Sequence, residues 1–167
     1  MIATGYWDLP CTALVYDELK DFFSRGYKFD LLIGQEPQLQ YYQASSEAHQ
    51  FPDFYIQRDV ESLTDEYKPI GKLIIENALT EENPNGKFEI RVYGQGEHKE
   101  FLHAKCYIFL GNNHTLATGI IGSSNFTLKG LQGNAELNYL EENGNSVAAL
   151  FTVYSTSKSH KAWFDVQ

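Results

Sequence analysis

At 167 residues, 43% of them hydrophobic and 14% aromatic, the chain is sized for one domain with a substantial core and is too apolar to be disordered. A formal net charge of −9 argues against a generally basic nucleic-acid binder; no apolar run is long enough to span a bilayer, and the N-terminus lacks a charged stretch leading into an apolar one. Cys11 and Cys106 are too far apart for a local metal or redox motif and too few for a disulfide scaffold, so a reduced, cytoplasmic protein is expected.

Residues 2–7 read as a first strand. Thr12 to Arg25 reads as a helix, with Val15, Leu19, Phe22 and Phe23 on one face, and Gly26 closes it. Lys28 to Ile33 is a second strand. Residues 35–54, rich in Gln, Ser and aromatics and carrying Pro37 and Pro52, read as an irregular excursion. The aromatics Tyr41, Tyr42, Phe54 and Tyr55 suit packing or an interface better than base stacking. Ile56, Val60, Leu63 and Tyr67 mark a second helix stopped by Pro69, and Ile70 to Leu79 a third. Asn83-Pro84-Asn85-Gly86 is a turn before a strand from Phe88 to Tyr93. The polar connection 94–100 contains Gly94-Gln95-Gly96, a turn without the third glycine and helix of a dinucleotide loop.

Residues 101–109 then read as a strand ending at Gly111-Asn112-Asn113, and 115–121 as the returning arm of a hairpin. Residues 135–140 alternate apolar and polar as a further strand, and 145–164 read as helical with a Ser-rich interruption at 155–159. No repeat or linker divides the chain. Helices between the early strands, followed by a run of strands, imply an α/β domain with a mixed β-sheet flanked by helices.

Chemistry concentrates between Phe101 and Asn138. Side chains two apart on a strand share a face, so His103 and Lys105 are expected to project together, about 7 Å apart along the chain. Gly122-Ser123-Ser124-Asn125 follows the hairpin, where small residues let the backbone approach a ligand and supply short polar donors. Glu136 and Asn138 share the polar face of the next strand. An imidazole, an ammonium, an amide and a carboxylate form a kit for breaking a phosphodiester without metal. A lone His-x-Lys means little, because a half-buried His beside a snorkelling Lys is its ordinary reading. The downstream Gly-Ser-Ser-Asn and Glu136 change that. The segment also lies in the net-positive stretch 87–129, where Lys87, Arg91, Lys99, Lys105 and Lys129 face Glu89, Glu97 and Glu100.

The order His103-x-Lys105, Gly122-Ser123-x-Asn125 and Glu136 resembles the signature of the phospholipase D superfamily, most closely its single-motif, nuclease-like members and the phospholipase D-like domains at the N-terminus of some bacterial helicases. Ile2-Ala3-Thr4-Gly5-Tyr6-Trp7 and Leu31-Leu32-Ile33-Gly34-Gln35-Glu36-Pro37 are similar to the first two strands of those helicase-linked domains. The resemblance implies a phospholipase D-like fold and a phosphodiesterase that needs neither metal nor cofactor. It also implies nucleic acid as substrate, DNA more than RNA. His103 would be the nucleophile, Lys105 and Asn125 would neutralise phosphate oxygens, Glu136 would fix the imidazole tautomer, and Ser123 would add a hydrogen bond. Family sites hold two such motifs and this chain has one, so a homodimer is expected. One position departs: five residues beyond the motif Lys, where the family usually has Asp, stands Leu110.

Three rivals stand beside this reading. One is a DNA-binding or regulatory module of a helicase or restriction assembly with little or no catalysis, of which the chain would be a fragment. Another is a lipid substrate, disfavoured because no amphipathic membrane-binding segment is evident. The third takes Asp53, Glu66 and Lys68 as a metal-dependent PD-(D/E)xK nuclease set, but Glu66 and Lys68 fall on the polar side of an expected helix, not on adjoining strands. His49, His98, His114 and His160 lie in polar segments without metal spacing.

Overall fold

The structure is a computed structural model and describes residues 1–34, 65–93, 102–111, 117–143 and 146–147. In chain order it contains β1 (Ile2–Thr4), α1 (Leu9–Ala13), α2 (Tyr16–Ser24), β2 (Phe29–Ile33), α3 (Lys68–Asn77), β3 (Phe88–Val92), β4 (Cys106–Leu110), β5 (Ala117–Gly122), a π-helical turn (Lys129–Gly133) and β6 (Asn138–Glu141). The six strands form one sheet in the order β3-β2-β1-β4-β5-β6. β1, β2 and β3 run parallel, while β4, β5 and β6 each run antiparallel to the strand before them in that order. This is the mixed α/β sheet expected of the sequence.

Strand β2 reads Phe-Asp-Leu-Leu-Ile, nearly continuously apolar, because both faces of the sheet are covered there. Leu31 enters one core and Leu32 the other. The first core joins Phe29, Leu31, Ile33, Phe88, Tyr107 and Phe126 to Leu9 and Cys11 of α1, Phe23 of α2, and Ile70 and Ile74 of α3. The second joins Ala3, Leu32, Cys106, Ile108 and Ala117 to Leu102 and Val147. Cys11 and Cys106 are free thiols buried in different cores, and burial pushes them up to about 12 and about 11.

Several boundaries differ from the sequence reading, each for a local reason. The helix expected from Thr12 starts at Leu9, because Asp8 caps it by accepting from Cys11 N at 2.8 Å. It breaks after Ala13, where Leu14 and Val15 donate back only three residues, and restarts at Tyr16. Gly26 closes α2 as expected: it takes φ +84°, donates to Phe23 O, and lets Tyr27 N donate to Phe22 O. Pro69 was expected to stop a helix, yet it sits in the first turn of α3, where its missing N–H costs nothing. Residues 35–64, 94–101 and 112–116, most of the C-terminal segment 145–164, and with them Asp53, His49, His98, His114, His160 and the aromatics Tyr41, Tyr42, Phe54 and Tyr55, lie outside the described residues.

Candidate functional site

Strand directions bring the candidate residues to one end of the sheet. Antiparallel pairing of Ala3 with Cys106 sets the C-terminal end of β1 beside the start of β4, and pairing of Cys106 with Ile121 sets the end of β5 there too. Gly122 then pairs with Asn138, which opens β6 at the same level. Gly122 N donates to Lys105 O at 3.2 Å, tying the last residue of β5 to the residue before β4. A Cβ on Gly122 would lie 2.4 Å from Leu137 O and 2.7 Å from Asn138 Cα, so only glycine lets β6 close here.

His103 and Lys105 precede β4, so neither joins the ladder, contrary to the expected 101–109 strand and the shared face argued from it. His103 is exposed, whereas Lys105 is only 6% exposed. The Lys105 ammonium donates back to His103 O at 2.9 Å. Burial lowers its pKa from the usual 10.5, and the negative charge of Glu136 works in the opposite direction. The expectation that His103 and Lys105 project together is therefore corrected: Lys105 lies beneath the surface that His103 occupies.

Glu136 also falls outside a strand, since β6 begins at Asn138 and not at 135. Its carboxylate accepts from Ser123 Oγ and, at 3.1 Å, from Asn134 Nδ2. The hydrogen bond from Ser123, then that from Asn134, and after them the charge of Lys105 hold it below the usual carboxylate range. Ser123 Oγ further accepts from Leu137 N at 3.0 Å, so this hydroxyl is engaged within the Glu136-Leu137 segment.

The loop 123–128 is held from several sides. Asn138 Nδ2 donates to Ser124 Oγ at 2.8 Å, and the buried Tyr107 hydroxyl donates to Ser124 O at 2.8 Å. Thr4 Oγ1 and Tyr6 N both reach Asn125 Oδ1 at 3.3 Å. Leu128 N donates to both oxygens of Asp8, at 3.1 and 3.2 Å, so the carboxylate that caps α1 also ties down this loop. A π-helical turn follows immediately, an arrangement frequent at functional sites. The supporting side chains Thr4, Asp8, Tyr107 and Asn138 were not singled out for this role from sequence. The available signal was a polar residue in each otherwise apolar strand, Thr4 at the end of β1 and Tyr107 in β4.

Elsewhere, Glu66 is exposed in the turn before α3 and Lys68 pairs with Asp65, so neither lies on a strand as a PD-(D/E)xK set requires. Among the described residues no group of three His, Cys, Asp or Glu side chains is placed to hold a metal ion, and no helix is long and apolar enough to cross a membrane. A family model described as cardiolipin synthase, PLD-like domain, matches residues 1–155. No curated protein matches the chain.

Proposed function

The chain belongs to the phospholipase D superfamily, whose chemistry is directed at phosphodiesters, and from that membership and the site's geometry we propose that it is a metal-independent nuclease acting on DNA. The observation that carries the reading is the gathering of the His103-Lys105 segment, the Ser123–Asn125 loop and Glu136 at one end of the sheet. In the proposed reaction an imidazole nitrogen of His103 attacks phosphorus and the P–O bond to the leaving nucleoside breaks. The His103 of a second copy gives that oxygen its proton. Water, deprotonated by the second imidazole, then cleaves the P–N bond and releases a phosphomonoester and free His103. Lys105 and Asn125 offset charge on the non-bridging oxygens. Two imidazoles sharing one phosphate can split into a neutral and a protonated form, which one imidazole cannot do, so the active species is a homodimer.

Leu110 bears on the rival reading, a binding module of a helicase assembly with little catalysis. It ends β4, pairs with Ala117, and packs against the second core, so its departure from the family Asp removes no group from the end of the sheet where the candidates gather. The deciding experiment is single-stranded DNA cleavage in excess EDTA, wild type against His103→Ala. The proposal expects turnover that survives chelation and is lost in the variant. DNA binding without turnover favours the module, and turnover that needs added Mg²⁺ refutes the mechanism. Mixing His103→Ala chains into wild type should suppress activity beyond dilution. A monomer that turns over at full rate would refute the dimer.

A further inference from the structure

The end of β1 carries a buried polar side chain that the proposed reaction does not use. Thr4 is 0% exposed, and its hydroxyl touches three groups. It donates to Tyr6 O at 2.8 Å, lies 3.3 Å from Asn125 Oδ1, and accepts from Phe126 N at 2.9 Å. A hydroxyl has one proton, so the nearer Tyr6 O is its main acceptor and Asn125 Oδ1 a second, longer one. Tyr6 N donates to the same Oδ1 at 3.3 Å. This second donor fixes the sense of the amide. Reversed, Asn125 would set its NH₂ against the Tyr6 N–H, donor facing donor. The Asn125 carbonyl therefore faces β1 and Nδ2 is turned away from it, with no acceptor among the described residues.

We infer that Thr4 is a positioning residue for Asn125. By holding the Tyr6 carbonyl on one side and the Phe126 amide on the other, it keeps the Asn125 side chain turned so that its NH₂ donors, and not its carbonyl, meet an anionic phosphodiester oxygen. The inference rests on the reading of Asn125 as a phosphate ligand. Its physical content is a sign: the turned amide attracts a non-bridging oxygen, and a reversed amide repels it. Removing one aligned donor from such a site costs roughly 10²–10³-fold in rate, and letting it rotate forfeits part of that.

The test compares Thr4→Val, which keeps the shape and removes the hydroxyl, with Thr4→Ser, which keeps the hydroxyl. On bis-p-nitrophenyl phosphate, Thr4→Val should lose about ten-fold or more in kcat/KM while Thr4→Ser stays within about two-fold of wild type. In an Asn125→Ala background, Thr4→Val should cost nothing further, because its effect runs through Asn125. In parallel, the side-chain amide resonances of Asn125 should shift on addition of tungstate, a phosphate mimic, in wild type and Thr4→Ser but not in Thr4→Val. Equal losses with and without Asn125, or an unchanged tungstate response in Thr4→Val, overturn the inference and leave the Asn125 reading standing. A wild-type Asn125 amide blind to tungstate, with Asn125→Ala as active as wild type, overturns that reading and the inference with it. If wild type shows no turnover, the titration alone decides. Should Thr4→Val not fold, Thr4→Cys, whose thiol is a weak donor, takes its place with the same expectations.

Discussion

The two halves of the sheet differ in what they hide. In the parallel half, Leu31 and Leu32 of β2 are exposed by no more than 1%, and Phe88 of β3 by 2%, under helices on one face and the second core on the other. In the antiparallel half, Tyr139 and Leu140 of β6 are 64% and 51% exposed, and Phe109 of β4 is 53% exposed. The candidate site lies at the seam, where the end of β1 meets the start of β4. Burial in the parallel half fixes where β1 ends, while the antiparallel hairpin brings sequence-local segments back to that point. Stability and chemistry are thus assigned to different strands, and substitutions should separate them.

The largest separation is expected from His103→Ala. This exposed side chain should leave the unfolding transition within about 0.5 kcal/mol of wild type. Phosphodiester turnover should fall by at least about 10⁴-fold, as loss of a nucleophile does. Leu31→Ala should do the reverse, costing about 2–5 kcal/mol in urea unfolding with near-normal turnover per folded molecule. If His103→Ala unfolds the protein, or Leu31→Ala removes activity from folded molecules, the division between the halves is false.

Lys105 straddles the seam and should show both effects. Lys105→Ala is expected to lower turnover by roughly 10²-fold, as expected for loss of one charge-stabilising group. Its buried ammonium has a lowered pKa, so between that value and the unfolded value of 10.5 the unfolded chain binds more protons and the penalty for holding the charge is relieved as pH rises. The thiols oppose this. With folded pKa values of about 12 and about 11 against a usual 9.0, Cys11 and Cys106 contribute stability that is lost above pH 9.0. The Lys105 contribution therefore appears in a difference: wild type should gain on Lys105→Met as pH climbs toward 10.5. A pH-independent difference in urea midpoints would show that Lys105 is not desolvated. In turnover, the alkaline limb should fall below 10.5.

What could be read in advance follows the same division. The hairpin of β4 and β5 and the βαβ order of the first half were legible because apolar periodicity and turn residues are local. The starts of β4 and β6 were not. Leu102 and Leu137 flank the site with the same alternation as strand residues, yet the ladder begins only at Cys106 and Asn138, where a partner strand is within reach. His103, Lys105, Ser123, Asn125 and Glu136 were nameable because the motif keeps them close in sequence. Thr4 and Asp8 act on residues more than 115 positions away, and no local pattern signals such a contact.

The smallest effect expected is also the most specific. Ser123→Ala removes the hydrogen bond that contributes most to holding Glu136 low, leaving Asn134 and the Lys105 charge in place. The Glu136 pKa should rise part of the way back toward its usual 4.5, which carboxyl-carbon NMR titration would follow directly. The sign for stability follows from the lowered value. In wild type Glu136 contributes stability that is fully present above about pH 4.5 and is lost as pH falls through its folded value. Ser123→Ala should narrow that window, so the two proteins should differ above pH 4.5 and converge in acid. Turnover at neutral pH should drop only a few-fold, because Glu136 stays ionised there and only its orientation loosens. A Glu136 titration unmoved by the substitution would mean that the Ser123 hydroxyl serves the Leu137 backbone alone, and that the carboxylate is set by Asn134 and Lys105.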